Sequence, residues 1–242
     1  MAINSIILNT LIKLAQRLPA PRRMLCLGYP DMLLTEAQLE KLCGAQIAGN
    51  ASWREDSASI LRWHGLEGQI GRVAESRSLF AALGLDTDFV DIVASRGFEI
   101  ALDLNRQAPE EMAGRYDLVY DGGTMEHCFN VGQVMRNIIG FARVGGFIVH
   151  VNPLNYYNHG FFNFNPTFYH DWYNQSGNAL VTPCYAMHGT VLGSRLTALD
   201  STTGFVAAPE RAVLVVAATK LVASPPDWPM QSKYLRNSEL KG

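Results

Sequence analysis

The chain has 242 residues, 48% of them hydrophobic and 17% charged, and 20 Lys+Arg against 22 Asp+Glu give a formal charge of −2. That balance supplies ample core and excludes a disordered acidic or basic tail protein. Without long Lys/Arg runs the surface is a poor match for nucleic-acid phosphates, and no apolar run reaches the roughly 18 residues of a membrane span, so neither nucleic acid nor membrane is an expected partner.

Ile7, Leu11, Leu14 and Leu18 recur at helical spacing near the N-terminus. They predict an amphipathic helix within residues 1–21 that covers the sheet, with a lid over a ligand as the alternative. It does not read as a signal peptide, because no basic region precedes the apolar stretch and Lys13 and Arg17 interrupt it. Cys26, Cys43, Cys128 and Cys184 form no C-x-x-C pair. They fit four reduced thiols in a cytoplasmic protein better than a disulfide framework or a zinc site.

Pro19-Ala20-Pro21 ends the first helix, and residues 23–28 read as a short buried strand running into a turn at Gly28-Tyr29-Pro30. Thr35 with Gln38 makes a capping box for a helix to Cys43. Residues 44–75 mix Gly, Ser and charges with Trp53, Trp63 and His64 and give no clear pattern. A helix over 75–83 stops at Gly84. Strands follow at 89–93, 99–104 and 116–121, then a helix over 131–143, a strand at 147–151 and a strongly apolar strand at 212–218. Short apolar strands separated by helices or turns predict a parallel sheet covered on both faces, in one α/β domain.

Ligands in such sheets bind outside the carboxyl ends of the strands. Gly28 would let a ligand approach the backbone, although a plain turn explains it as well. Asp91 could accept ribose hydroxyls or be a solvated loop acid. Asp103, with Leu104 and Asn105, could read adenine or merely close an Asx-type turn before Pro109. The richest end is Asp121-Gly122-Gly123-Thr124-Met125-Glu126-His127. Its two glycines permit close contact, and Glu126 beside His127 could be an acid/base pair or a helix-start acid favoured by the helix dipole.

The run Tyr116-Asp117-Leu118-Val119-Tyr120-Asp121, the pair Glu126-His127 and Gly145-Gly146 together resemble class I S-adenosylmethionine-dependent methyltransferases. The likeness covers roughly residues 22–152 and implies a Rossmann-like fold, with a mostly parallel twisted sheet and helices on both faces. Residues 22–152 would then be the cofactor-binding core and 153–242 the substrate-side segment and closing strands. The resemblance places Gly28 under the methionine of S-adenosylmethionine, Asp91 on its ribose, Asp103 and Leu104 at its adenine, and Asp121 and Gly122 beside the sulfonium. Cys26 stands where the family has an acid and Pro30 where it has a second glycine, with Asp31 as a substitute polar group. These departures keep open a methyltransferase-like binding or scaffold protein without catalysis. A nicotinamide-dependent oxidoreductase fits less well, since G-x-G-x-x-G is missing.

Residues 152–173 are dense in Asn, His and aromatics, as a small-molecule pocket would be. The segment resembles that of bacterial methyltransferase-like proteins carrying a His-Gly-Phe, here His159-Gly160-Phe161. Asn155, Tyr156, Phe161 and Phe164 are the residues expected to meet a small-molecule methyl acceptor, while Phe162, Phe168 and Trp172 read as core. His159 joins His127 and Glu126 as an acid/base candidate. No metal is expected, because His127, His159 and His170 show no standard ligand spacing. The acceptor's identity is not legible, and a homodimer is left open.

Overall fold

The structure is a computed structural model, described here for residues 2–200 and 207–235. Strand β1 is Ala2–Ile3, and helix α1 spans Ser5–Ala15, where Asn4 caps it by accepting from the Ile7 amide at 3.1 Å. Strands β2 (Arg22–Leu27) and β3 (Asp31–Met32) follow, then helices α2 (Glu36–Cys43), α3 (Ala45–Gly49), α4 (Ser57–Trp63) and α5 (Ser76–Ala82). The capping box of α2 is formed, with the Gln38 amide donating to Thr35 Oγ1 at 3.2 Å and the Thr35 amide to Gln38 Oε1 at 3.0 Å. Strands β4 (Leu85–Asp91), β5 (Ile100–Ala101) and β6 (Tyr116–Asp121) lead to α6 (Val131–Phe141) and the long β7 (Ala142–Pro153). The chain continues through α7 (Pro166–Gln175), β8 (Ala179–Leu180), β9 (Cys184–His188), β10 (Arg195–Leu199), β11 (Val213–Thr219) and α8 (Ser232–Leu235).

Among the described residues nine strands form one sheet, ordered β10-β9-β11-β7-β6-β2-β4-β5 with β8 paired to β11. The five strands from β7 to β5 are mutually parallel, whereas β11 runs antiparallel between β7 and β9. From β2 the chain moves outward to β4 and β5, then returns to β6 on the other side of β2. That reversal is the topological switch point, where two crossovers diverge and leave a crevice. Alternate residues serve the two faces. Met24, Cys26, Leu118, Tyr120, Phe147 and Val149 pack with α1, α2, α4 and α5, while Leu25, Leu27, Val119 and Ile148 pack with α6 and α7.

Several elements differ from their sequence-based expectation. β4 begins at Leu85 rather than Phe89, because Asp86 and Asp88 lie 3.9 and 3.2 Å from Arg23 on the neighbouring strand and their charges are matched there. Ile92 and Val93, expected inside it, lie beyond its end and are exposed. β5 is two residues long, since Asp103 turns the chain by accepting from the Asn105 amide. Residues 44–75 hold α3 and α4 joined by turns, short helices whose periodicity is too brief to read.

Candidate functional site

Two hollows open at the carboxyl ends of β2 and β6. The first, about 470 Å³, is lined by Gly28 and Tyr29 after β2, Val90 and Asp91 at the end of β4, Leu102 to Asn105 after β5, and Gly123, Thr124, His127 and Cys128 after β6. The second, about 310 Å³, is lined by Gly122, Gly123, Glu126 and His127, by Tyr156 and His159, by Ala2, Asn4 and His64, and by Met187, His188 and Arg211. Gly123 and His127 belong to both walls, so the hollows meet there.

In the first hollow Gly28 adopts φ 80°, open to glycine and strained for other residues, and its amide donates to the Val90 carbonyl at 2.6 Å. Tyr29 packs onto Phe89, ring centroids 4.8 Å apart, and forms part of the wall of the hollow. Asp91 Oδ1 accepts from the Ile92 amide at 2.8 Å. Asp103 lines the wall, but its carboxylate also accepts from the Asn105 amide at 3.0 Å and from Arg106 Nε at 3.2 Å. The Asn105 side-chain amide, which donates to Asp103 Oδ1 at 2.9 Å, and then the Asn105 backbone amide hold its carboxyl below the usual range. The Asx turn and the hollow-lining position therefore coexist at this residue.

Beneath the junction lies a wholly buried polar network. The Asp121 carboxylate accepts from the Thr124 and Met125 amides at 3.1 and 3.2 Å and from Asn152 Nδ2 at 2.9 Å. His150 Nδ1 is 3.0 Å from Asp121, and its Nε2 is 2.7 Å from the Tyr173 hydroxyl. Asn152 Nδ2 also donates to Glu126 Oε2 at 3.0 Å, and Asn152 Oδ1 accepts from the Tyr169 hydroxyl at 2.5 Å. Glu126, only 1% exposed at its side chain, sits in a 3₁₀ turn over Met125–His127, and the helix starts later, at Val131 behind the Asn130 cap. The helix-dipole reading of Glu126 is thereby replaced. Burial first, and then the nearby Asp121 charge, push its carboxyl up to about 7. Among the described residues Glu126 Oε1 has no hydrogen-bond partner, and it lies 3.5 Å from His159 Nδ1 and 4.0 Å from His127 Nε2. The two imidazoles stack with centroids 5.4 Å apart, and burial lowers both of their pKa values, which favours the neutral rings.

The expected residues are thus partly assembled. Gly28, Asp91, Asp103 and Leu104 line the first hollow, and Gly122, Glu126, His127, Tyr156 and His159 line the second. Asp121 lies under the floor, on neither surface. Asp31 lines neither hollow: it is bound by Arg54 Nη1 at 2.8 Å and by His64 Nε2 at 3.1 Å, which fixes His64 on the wall of the second. Phe164 belongs to the core beside Phe168 and Tyr169. Asn155 ties the chain back to Pro209 and Ala212, and Phe161 points outward at 65% exposure. Sequence reasoning missed His150 and Asn152 as network members. Polar residues two apart in an otherwise apolar buried strand were the available signal, answered by Tyr169 and Tyr173 one helical turn apart on α7.

Beyond β7 the sheet continues through β11, β9 and β10, each antiparallel to its neighbour, so β11 and β10 both run against the parallel set. The chain has an α/β, Rossmann-like fold. No protein-family model matches it, and no curated protein matches it. Among solved structures it is similar to the 1,6-didemethyltoxoflavin-N1-methyltransferase of Burkholderia thailandensis, with 13% identity, a TM-score of 0.46 and coverage of 90% of this chain and 78% of that one. It is also similar to the CurJ carbon methyltransferase, with 11% identity, a TM-score of 0.41 and coverage of 90% of this chain but 54% of the other, about half that protein's length. A 16S rRNA (adenine(1408)-N(1))-methyltransferase from Catenulisporales acidiphilia matches with 10% identity, a TM-score of 0.41 and coverage of 93% and 94%.

Proposed function

We propose that the chain is a methyltransferase that binds S-adenosylmethionine in the first hollow and methylates an oxygen or nitrogen of a small metabolite in the second. The observation that carries this reading is the meeting of the two hollows at Gly123 and His127, directly over the switch point. The cofactor, when bound, supplies an electrophilic methyl group on a sulfonium that leaves as a thioether. The residues present fit it: an open glycine turn at Gly28, a carboxylate at Asp91 for ribose hydroxyls, and the Leu104 side chain beside Asp103 for adenine. Gly123 keeps the shared wall thin.

The protein's own contribution is alignment and proton management. Holding the acceptor atom in line through the shared opening is worth roughly 7–11 kcal/mol of barrier, and a positioned base adds about 10²–10⁴-fold. His159 Nδ1 and Glu126 Oε1 stand at the acceptor side of that opening, where they receive the proton that the acceptor loses. Met187, Val151 and Val213 exclude water around it, and the confined 310 Å³ space suits a small molecule rather than a folded nucleic acid. Among the described residues no helix is long and apolar enough to cross a membrane.

Calorimetric titration with S-adenosylhomocysteine tests the reading. Wild-type protein is expected to bind, and Asp91→Ala to bind at least about tenfold more weakly through loss of hydrogen bonds to a charged group. Folded protein that gives no heat at millimolar ligand defeats the proposal. A methyltransferase-like binding protein without turnover is the second reading, favoured by Pro30 in the first turn and by the prior engagement of the Asp103 carboxylate. It predicts no methyl transfer to any acceptor that occupies the second hollow.

A further inference from the structure

We propose that Glu126, His127 and His159 form a site for one divalent first-row transition-metal ion at the junction of the two hollows. The proposal rests on the reading of the second hollow as the acceptor site and deepens it. One carboxylate oxygen and one ring nitrogen from each histidine all lie within 4.8 Å of one another. Glu126 Oε1 is 3.5 Å from His159 Nδ1 and 4.0 Å from His127 Nε2. Donors on a tetrahedral ion at bond lengths of about 2.1 Å sit roughly 3.4 Å apart, so modest turns of the two half-exposed rings complete the geometry.

The second, independent observation is the state of Glu126. Its side chain is 1% exposed, yet among the described residues Oε1 finds no hydrogen-bond partner, and it faces the two imidazoles at 3.5 and 4.0 Å. A buried carboxylate oxygen left without a donor is costly, and a cation supplies what it lacks. Its other oxygen is held by Asn152 Nδ2 at 3.0 Å, which fixes the direction of the free one. Such a hydrogen bond to a ligating carboxylate is the usual support of a metal site. The backbone is fitted to the same purpose: a Cβ at Gly160 would stand 2.8 Å from the Glu126 carbonyl oxygen and 3.0 Å from its Cγ, so glycine lets the His159 loop close over Glu126.

Two imidazoles and one carboxylate suit zinc, iron, cobalt or nickel better than magnesium or calcium, which prefer all-oxygen shells. Three protein ligands leave positions open toward the second hollow. A hydroxyl of the acceptor placed there would bind the ion through oxygen, give its proton to solvent water at lowered pKa, and be held for in-line attack through the shared opening. The ligand class that fits is therefore a hydroxylated small molecule; with the ion bound, Glu126 Oε1, His127 and His159 are its ligands, and the proton-accepting role of Glu126 and His159 belongs to the metal-free protein.

The test uses the full chain, stripped with a chelator and titrated with Co²⁺ alone, followed by visible absorption and by competition with Zn²⁺. One equivalent of Co²⁺ is expected to give the intense visible bands of a low-symmetry site, displaced by Zn²⁺. His159→Ala and Glu126→Gln are each expected to weaken binding at least about tenfold. His159 is half exposed, so its variant keeps the fold, which circular dichroism verifies. S-adenosylhomocysteine affinity, measured in parallel, is expected to stay within about threefold for His159→Ala, because His159 lines only the second hollow. Absence of the bands, or equal Co²⁺ affinity in wild type and both variants, overturns the metal site while retained S-adenosylhomocysteine binding leaves the methyltransferase reading standing. Cobalt binding without any S-adenosylhomocysteine binding retains the ion and removes its proposed role in methyl transfer.

Discussion

Asn152→Leu isolates the buried network with little change of side-chain volume. Its amide nitrogen donates to Asp121 Oδ2 at 2.9 Å and Glu126 Oε2 at 3.0 Å, and its oxygen accepts from Tyr169. Each hydrogen bond to a charged group is worth about 1.5–3 kcal/mol, and stripping a partner from a buried charge costs about 3–5 kcal/mol. Glu126 can relieve part of this by taking up a proton, so the net loss expected at pH 8 is about 3–5 kcal/mol. For a chain of this length that lowers Tm by roughly 6–20 °C. Urea unfolding with a chelator present measures the loss as a shift in midpoint at unchanged slope. The sign of the pH dependence follows from the raised carboxyl of Glu126. Where the folded state keeps a proton that the unfolded state has released, stability falls as pH rises. Removing the Asn152 donor raises that carboxyl further, so the deficit widens from pH 5 to pH 8. A loss below about 1 kcal/mol at pH 8, or an equal deficit at both values, would refute the reasoning.

Gly160→Ala is expected to displace the Glu126 backbone, because the added methyl meets its carbonyl oxygen at 2.8 Å. The cost is about 1–3 kcal/mol of stability with S-adenosylhomocysteine affinity kept, and urea unfolding alongside calorimetry checks both. Asp171→Asn removes the carboxylate that accepts from the Ser232 amide at 2.8 Å and from the Ser232 hydroxyl. Amide exchange around residues 230–235 is expected to accelerate at least about fivefold while the β7 and β11 amides remain protected.

The sheet was legible because its strands are buried on both faces and read as apolar runs, as at Leu118-Val119 and Val213 to Ala218. Boundaries were less so wherever a tertiary pairing overrode the local pattern. Arg23 drew Asp86 and Asp88 into β4, and the Asx turn at Asp103 cut β5 short. The hollow-lining carboxylates at Asp91 and Asp103 follow from the position of strand ends, a property that chain order encodes. The junction did not follow. Glu126 looked like a helix-start acid because sequence alone cannot show that the helix waits for Asn130, and His159 reaches Glu126 only because β7 carries the chain to the end of the sheet and a loop folds it back. Asp31 illustrates the opposite error, a polar residue beside the right turn whose carboxylate is spent on Arg54 and His64.

A crystal of the protein grown with saturating S-adenosylhomocysteine tests the central claim most directly. The account predicts adenosine in the hollow between Asp91 and Leu104, with the sulfur at the Gly123 and His127 wall and facing the second hollow. Adenosine bound elsewhere, or an empty hollow with its walls unchanged at saturating ligand, would contradict it.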